Sequence, residues 1–523
     1  MSKTQIKENA MSNAFASALE KTVNNEETLS ENGAVMFKTS SNKLVDCNFA
    51  LSSFRQKTEA EVIKAFSEAW NENREYALRW LFMARDVREG SGERRTFRII
   101  LKWLAQAEPA LVGKLVKEVA EYGRFDDLYC LFGTPAEKAV VENVFAPRLC
   151  ADLVLMDENK PVSLLAKWLK SPNASSPETK ALAKRTYRAM GMTEKAYRKR
   201  LSRLRAYIDV VEAKMSAKKW GDIDYQKVPS QANLKYKAAF LKNDGVRRRE
   251  YLSKLEKGEA KINAAACFPS DIVYKYMTQS CGYANPEADA QLEAMWKALP
   301  KIGGDDMNVI TVVDVSGSMT WTKCANSGMR PLDVALALGV YCAENLKGPF
   351  RNKAITFSER PEYVKLPENG TLIQKLGTLV RSQVSMSTNV KAVMDLVLKT
   401  ATDNGLKQED IPAVVILSDM EFNEGTRSGG YGYDADKKAL FAEIADEWKA
   451  AGYSLPKLYF WNLNSRTGGI PIQFNKNGVG LVSGYSQNTV KMLLSDKLDP
   501  WEILKEQLDV PRYARISEIA DAE

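Results

Sequence analysis

A run of β-branched residues that ends in acidic and hydroxyl side chains constrains the fold of this chain most. It reads Asn308-Val-Ile-Thr-Val-Val-Asp314 and is followed by Val-Ser316-Gly-Ser318. The run is too short to cross a membrane and is typical of a parallel strand buried on both faces of an α/β domain. Side chains that follow such a strand lie in the crevice where these folds bind ligands. The stretch therefore predicts a ligand site, with a serine-rich turn capped by Asp314 as the simpler interpretation.

Regular alternation of strands and helices extends from Met307 almost to the end of the chain. The predicted strands are Asn308–Asp314, Asn352–Ser358, Pro412–Ser418, Lys457–Asn462 and Val479–Ser483, and the predicted helices are Pro331–Leu346, Asn389–Thr400, Lys437–Ala451 and Gln487–Leu494. Alternation of this kind indicates a doubly wound parallel sheet. We expect an α/β domain over residues 305–498, followed by a C-terminal tail (499–523) that Pro511 breaks up.

The preceding part of the chain is helical in pattern. Apolar residues recur at three- and four-residue spacing from about Thr58 to Leu299, with short polar connectors between the predicted helices. This succession of short helices predicts stacked helical pairs of the HEAT type over residues 56–304, and a compact helical bundle fits nearly as well. Residues 1–55 are expected to form a partly mobile lead-in with one short helix at Ser12–Val23.

The types of residue present limit the possible chemistry. The chain has no histidine, which excludes Ser-His-Asp and Cys-His nucleophiles and histidine-bearing zinc sites. Asp314, Ser316 and Ser318 instead offer hard oxygen ligands of the kind that Mg²⁺ prefers. Seven scattered cysteines without a Cys-x-x-Cys pair indicate reduced thiols in a cytoplasmic protein. No apolar run is long enough for a membrane span.

Positive charge is concentrated in one region. The formal net charge is +8, but residues 161–261 alone carry an excess of about +15, which leaves the rest of the chain mildly acidic. Such an excess favours an anionic partner, most commonly nucleic acid, although solvated helix faces are the simpler alternative. Tyrosines and a tryptophan between the cations suit single-stranded RNA. For Tyr187, Tyr197, Leu201 and Leu204 we favour a buried helix face instead.

A second group of arginines surrounds the turn Gly90-Ser91-Gly92. No strand precedes this turn and no Gly-Lys-Ser/Thr follows it, so a nucleotide-binding loop is not indicated. Its arginines can bind phosphate or pair with Asp86, Glu89 and Glu93, and both alternatives remain open. The candidate RNA-binding residues of the two regions are Arg85, Arg88, Arg94, Arg95, Arg198, Lys199, Arg200, Arg203, Arg205, Lys218 and Lys219.

Two later elements complete the opening motif. Thr388 lies just before a predicted helix, and Asp419 closes a second buried strand as Asp314 closes the first. This order of residues resembles the metal-ion-dependent adhesion site of von Willebrand factor A domains. The resemblance implies that Ser316, Ser318 and Thr388 contact a divalent cation (Mg²⁺, Mn²⁺ or Ca²⁺) while the two acids act through water. It also implies that an acidic side chain of a partner protein can complete the coordination.

The helical half resembles the TROVE-module proteins, the Ro autoantigen family, and in particular a TROVE-like branch found in viruses and plants. The similar stretches are Arg85-Asp-Val-Arg-Glu-Gly-Ser-Gly-Glu-Arg-Arg, Tyr122-Gly-Arg-Phe-Asp-Asp-Leu, Val228-Pro-Ser-Gln-Ala and Gly258-Glu-Ala-Lys-Ile-Asn-Ala. The resemblance implies helical repeats closed into a ring that binds structured or 3′-ended RNA, as a cytoplasmic ribonucleoprotein with no membrane partner and no specificity for DNA.

Three classes of function follow from these patterns. The leading prediction is a non-enzymatic RNA-binding protein whose A domain holds Mg²⁺ for a partner or for ring closure. The alternative is a metal-dependent protein-interaction scaffold, in a viral or cellular assembly, without a role in RNA binding. A hydrolase that uses Asp314 and Asp419 is disfavoured, because mostly neutral ligands around one metal leave no evident general base. A purely structural site is also compatible with the sequence.

Overall fold

The computed structural model describes residues 27–279, 287–302, 308–324, 328–346, 348–381, 387–423, 440–471, 478–495, 497 and 499–522. The strands are β1 Glu27–Leu29, β2 Val35–Phe37, β3 Val309–Asp314, β4 Lys353–Phe357, β5 Glu362–Lys365, β6 Ala413–Ser418, β7 Leu458–Asn462 and β8 Val479–Ser483. The α-helices are α1 Lys43–Phe49, α2 Glu59–Glu72, α3 Arg74–Arg85, α4 Arg94–Ala107, α5 Pro109–Leu115, α6 Val119–Tyr122, α7 Glu137–Val140, α8 Ala146–Asp157, α9 Leu165–Trp168, α10 Pro177–Ala189, α11 Glu194–Ile208, α12 Val211–Ser216, α13 Ser230–Lys235, α14 Lys237–Asn243, α15 Gly245–Glu256, α16 Pro269–Gln279, α17 Ala290–Lys297, α18 Ser318–Trp321, α19 Pro331–Asn345, α20 Leu372–Val380, α21 Val390–Asp403, α22 Leu440–Ala450, α23 Val490–Leu493, α24 Pro500–Leu508 and α25 Pro511–Asp521.

The predicted helical N-terminal half is confirmed. The helix α2 is capped by Thr58, whose side chain forms a capping box with Glu61, and it buries Val62 and Phe66 at four-residue spacing. The helix α4 buries Ile100 and Leu104 at the same four-residue spacing. The HEAT-type repeat and the ring stay predictions. None of the described helices is long and apolar enough to cross a membrane.

The C-terminal half contains a six-stranded sheet of order β5-β4-β3-β6-β7-β8 with flanking helices. The five strands from β4 to β8 in this order are parallel, as predicted. The edge strand β5 is antiparallel to β4, so the expected all-parallel sheet is in fact mixed. Sequence reading missed β5 because only Val364 of its four residues is buried, which leaves no apolar run to detect.

Close packing holds the central strand β3 against α19. All six residues of β3 are buried, and a Cβ atom at Gly339 of α19 would lie 2.6 Å from Cγ2 of Val313. Only glycine therefore lets this helix approach the strand so closely. The contact fixes the position of Asp314, the last residue of β3.

Residues 27–55 do not form the extended lead-in that the sequence suggested. The strands β1 and β2 form an antiparallel hairpin, and α1 is largely buried. Ser52 donates its backbone N–H to the hydroxyl of Ser483 (3.0 Å) and its own hydroxyl to the carbonyl of Asn462 (3.0 Å). The carbonyl of Phe49, the last residue of α1, accepts the side-chain amide of Asn462 (2.7 Å), so α1 also contacts the α/β half, more than 400 residues away in sequence. The predicted helix Ser12–Val23 lies outside the described residues.

The C-terminal segment is also better ordered than predicted. Pro511 does not break a tail but occupies the first turn of α25, where its missing N–H costs no helical hydrogen bond. The helix α25 packs against α3 and α5, and α16 packs against α19. The helical half therefore contacts the α/β half both near its beginning and near its end.

Candidate metal site and cation surface

Three loops at one edge of the sheet bring the predicted metal ligands together. Asp314 ends β3, and Asp419 follows β6, which is the direct neighbour of β3 in the sheet. The segment that carries Thr388 lies beyond β4 on the other side of β3, because the N–H of Asn389 donates to the carbonyl of Ser358 (2.9 Å). Parallel strands that end at the same edge place the three loops side by side.

The carboxylate of Asp314 is buried and accepts hydrogen bonds from two groups. Its Oδ1 accepts the N–H of Ser316 (2.9 Å), and its Oδ2 accepts the hydroxyl of Ser418 (2.6 Å). The hydroxyls of Ser316 and Ser318 are 3.1 Å apart. Burial, together with the nearby charge of Asp419, raises the pKa of Asp314 to about 7, although its hydrogen bonds oppose the shift. The carboxylate therefore lacks a sufficient counter-charge where it lies.

Thr388 supplies an unsatisfied hydroxyl. Its side chain is buried, and its Oγ1 has no hydrogen-bond partner in the described part of the chain. The backbone around it is well held, because Thr388 and Asn423 exchange hydrogen bonds of 3.0 Å through the N–H and carbonyl of Thr388. A buried hydroxyl without a partner is costly. Because its loop neighbours the loop of Asp314 at the edge of the sheet, this hydroxyl is available as an oxygen donor there.

Asp419 has a cationic neighbour that the sequence did not predict. Its Oδ2 accepts a hydrogen bond from Arg466 (2.9 Å), and its Oδ1 accepts the N–H of Glu421 (3.3 Å). Burial raises the pKa of Asp419, and the charge of Arg466 opposes this rise. Met420, which lies between Asp419 and Glu421 in the chain, adopts a left-handed backbone conformation (φ 64°). This conformation is rare outside glycine and is often found at functional sites.

The donor set is suited to one hard divalent cation. Asp314, Asp419, Ser316, Ser318 and Thr388 provide carboxylate and hydroxyl oxygens, which Mg²⁺, Mn²⁺ and Ca²⁺ all accept. The described residues contain no group of three or more His, Cys, Asp or Glu side chains arranged to hold a metal. Any cation at this edge would therefore depend on the serine and threonine hydroxyls, as the motif predicts.

Sequence reading missed Ser418, Glu421 and Arg466. Ser418 and Glu421 flank Asp419 in the chain and were within reach of inspection. No sequence pattern pointed to Arg466, because it lies in the loop after β7, 47 residues beyond Asp419. Only the adjacency of β6 and β7 in the sheet brings the two residues together.

The arginines around the Gly90–Gly92 turn are largely engaged inside the molecule. Arg85 is buried and pairs with the buried Asp127 (2.8 Å). Arg95 donates to the carbonyls of Phe54 (2.6 Å) and Lys57 (2.8 Å). Arg88 is exposed and pairs with Glu121 (3.0 Å). Arg94 is exposed and forms no ion pair within the described residues. Among these four arginines, only Arg94 forms neither an ion pair nor a side-chain hydrogen bond within the described residues, and burial lowers its pKa.

Among the cations of α11 and of the turn after α12, some are likewise engaged inside the molecule and others are exposed. Arg205 donates to the carbonyls of Ala166 and Leu169, and Arg203 pairs with Asp157 (2.7 Å). Arg198 is exposed, 3.8 Å from Glu194, and Arg200 is half-buried against the sulfur of Met192. Lys199, Lys218 and Lys219 are exposed and form no ion pair within the described residues. Tyr187, Tyr197, Leu201 and Leu204 are buried, which confirms the predicted apolar face.

Comparisons with known proteins cover almost the whole chain. Residues 30–122 and 138–301 match a domain of unknown function, DUF2828, and residues 308–511 match a second one, DUF7788. The "Uncharacterized protein L728" of Acanthamoeba polyphaga mimivirus is 30% identical over 522 residues, which cover 92% of this chain and 87% of that protein. The crystal structure of the Deinococcus radiodurans Ro (RSR) protein overlaps loosely, with a TM-score of 0.36 and 12% identity over 88% of this chain and 92% of that chain. The chain therefore belongs to the same family as the mimivirus protein L728.

Proposed function

We propose that this protein is a non-enzymatic RNA-binding protein whose contact surface is the cationic side of α10 and α11. Residues 179–208 contain ten lysines and arginines and a single acid, Glu194. On α10 the exposed cations Lys180, Lys184 and Arg188 are spaced four residues apart, so they lie along one side of the helix. This stripe of cations is the observation that carries the proposal.

The rest of each helix explains why the cations face outward. The helix α10 buries Ala183 and Tyr187 along a row next to the cations, and α11 buries Tyr197, Leu201 and Leu204. An exposed stripe with almost no acids raises the local concentration of polyanions, and phosphates bind by releasing counterions. The similarity of the motifs around Arg85 and Tyr122 to TROVE-module proteins supports RNA as the polyanion.

Charge reversal tests this surface. We expect Lys184→Glu, Arg188→Glu and Lys199→Glu together to weaken binding of a hairpin RNA with a 3′ overhang by about tenfold or more, because three phosphate contacts become repulsive. The slope of the logarithm of the binding constant against the logarithm of the salt concentration should also become shallower by about three. Fluorescence anisotropy at several KCl concentrations measures both quantities.

The matched control reverses three exposed lysines on other surfaces, Lys64, Lys117 and Lys365. This triple variant has the same net charge as the test variant. Equal loss of affinity in both variants would indicate only a non-specific charge effect. Unchanged affinity in the test variant would contradict the proposal.

We also propose that Asp314, Ser316, Ser318, Thr388 and Asp419 hold a divalent cation, Mg²⁺ or its substitutes Mn²⁺ and Ca²⁺. When bound, such a cation offers a coordination position to an acidic side chain of a protein partner. The buried Thr388 hydroxyl without a partner supports this proposal. Asp314→Asn should abolish Mn²⁺ binding in a titration followed by electron paramagnetic resonance, while the affinity for RNA stays unchanged.

The same site favours a second candidate function, a metal-dependent protein-interaction scaffold without a role in RNA binding. The two functions differ in a simple measurement. A protein that binds Mn²⁺ but no RNA, even at low salt, would support the scaffold. RNA binding that persists in Asp314→Asn would support the RNA-binding protein.

A further inference from the structure

Arg466 lies between the candidate metal site and the N-terminal hairpin. Its Nη1 donates to Oδ2 of Asp419 (2.9 Å), while its Nε and Nη2 donate to the two carboxylate oxygens of Glu31 (2.6 Å each). The Arg466 side chain is 18% exposed and the Asp419 side chain is fully buried. One guanidinium therefore joins an acid of the site to an acid of the hairpin.

The turn of the hairpin is fixed on the loop that follows Asp419. The N–H of Glu31 donates to Oε2 of Glu421 (2.8 Å), and the Asn32 side chain donates to the Glu421 carbonyl (2.6 Å). The Glu421 carboxylate also accepts the N–H groups of Arg466 (2.8 Å) and Thr467 (3.0 Å). Glu421 thus binds both the turn of the hairpin and the loop of Arg466. These bonds place the Glu31 side chain next to the Arg466 guanidinium.

The two acids of the candidate metal site repel each other, and the positive charge of Arg466 offsets part of this repulsion. Two buried carboxylates, Asp314 and Asp419, would repel each other without a cation nearby. Arg466 provides one positive charge directly on Asp419, at a depth where water screens charges poorly. A divalent cation at the same acids would meet the repulsion of this guanidinium, and Glu31 would partly offset that repulsion.

We infer that Arg466 is an internal counter-ion of the Asp314–Asp419 site that competes with a divalent cation, and that Glu31 adjusts this competition from the hairpin. The inference rests on the proposed metal site. It makes the affinity of the site for a cation depend on Glu31, a residue of the N-terminal segment nearly 400 residues before Asp419 in the chain.

Mn²⁺ titration of the full-length protein at pH 8, followed by electron paramagnetic resonance of free Mn²⁺, tests the inference. We expect Arg466→Gln to bind Mn²⁺ about tenfold more tightly than the wild type, because the repulsion is removed. Glu31→Gln should bind it several-fold more weakly, because the arginine then keeps its full charge. Arg466→Lys, which retains a cation, should stay close to the wild type.

Arg512→Gln is the matched control, because Arg512 also pairs with a fully buried acid, Asp86 (2.6 Å), but belongs to α25. It should leave the affinity for Mn²⁺ unchanged. Equal affinity of the wild type and Arg466→Gln would overturn the inference alone. If the wild type and Arg466→Gln both fail to bind Mn²⁺, the metal site itself is overturned and the inference with it. If Arg466→Gln does not fold, Glu31→Gln still tests the inference. It should bind Mn²⁺ more weakly than the wild type, and unchanged affinity would overturn the inference.

Discussion

Arg512 and Asp86 form a bidentate ion pair across 426 positions of sequence, with nitrogen–oxygen distances of 2.6 and 3.1 Å. The Tyr513 hydroxyl donates to the same carboxylate (3.0 Å), and the Asp86 side chain is fully buried. Asp86 follows α3 in the helical half, whereas Arg512 belongs to α25. The ion pair therefore links the C-terminal helix α25 to the end of α3.

Removal of this arginine should destabilise the whole protein. We expect Arg512→Ala to lower the free energy of unfolding by about 2–3 kcal/mol, because a buried carboxylate loses its counter-charge. Urea denaturation measures the change. The double variant Arg512→Ala/Asp86→Asn should recover part of the loss, since it no longer buries an unpaired charge. Additive losses in the double variant would show that the two residues do not act together.

Gly123 should not tolerate even a methyl group. A Cβ atom at this position would lie 2.5 Å from Oδ2 of Asp127 and 2.7 Å from Nε of Arg85, the two partners of a buried ion pair. Gly123→Ala should therefore cost about 2 kcal/mol or more of stability by thermal or urea denaturation. Gly113→Ala is the control, because its Cβ would meet only Ala139 at 3.8 Å. A neutral Gly123→Ala would contradict this packing.

Thr388→Val separates metal binding from folding. Valine has the shape of threonine without the hydroxyl, so we expect the metal-free variant to be about as stable as the wild type. Saturating Mn²⁺ should raise the melting temperature of the wild type but not of the variant, because only a protein that binds the ion gains stability from it.

The control for Thr388→Val is Thr96→Val in α4. Thr96 is also buried, and its hydroxyl likewise has no hydrogen-bond partner in the described part of the chain. This variant should keep the full response to Mn²⁺ in differential scanning fluorimetry. An equal response in Thr388→Val would remove Thr388 from the proposed ligand set.

Arg248 offers a test of a buried charge that forms no ion pair within the described residues. It is fully buried, its guanidinium lies 4.6–5.2 Å from the ring centres of Tyr225, Phe240 and Tyr251, and its Nε and Nη1 lack hydrogen-bond partners in the described residues. Because desolvation of the charge is costly, we expect Arg248→Met to stay within about 1 kcal/mol of the wild type or to exceed it.

The comparison variant Arg248→Ala should lose about 3 kcal/mol, since it leaves a cavity between the rings. Urea denaturation of both variants separates the packing of this side chain from its charge. A loss as large in Arg248→Met as in Arg248→Ala would show that the aromatic rings stabilise the cation itself.

Local patterns were sufficient for elements that are regular and deeply buried. The strands that end at Asp314 and Ser418 were predicted from their apolar runs, and their shared edge of the sheet followed from α/β topology. The same patterns did not reveal β5, whose residues are mostly exposed. Nor did they reveal that Arg85 pairs with Asp127, because an arginine in a charged turn has the same sequence signature whether it faces solvent or an internal acid.

By itself the sequence determined a helical half, an α/β half and a group of carboxylate and hydroxyl side chains at the ends of two strands. These features depend on periodicity and spacing, which act over a few residues. Only the tertiary structure decided that the N-terminal hairpin lies beside Asp419, that Arg466 contacts this acid and that α25 returns to α3. Those contacts join residues that are distant in sequence, and burial and charge pairing in the folded chain select them.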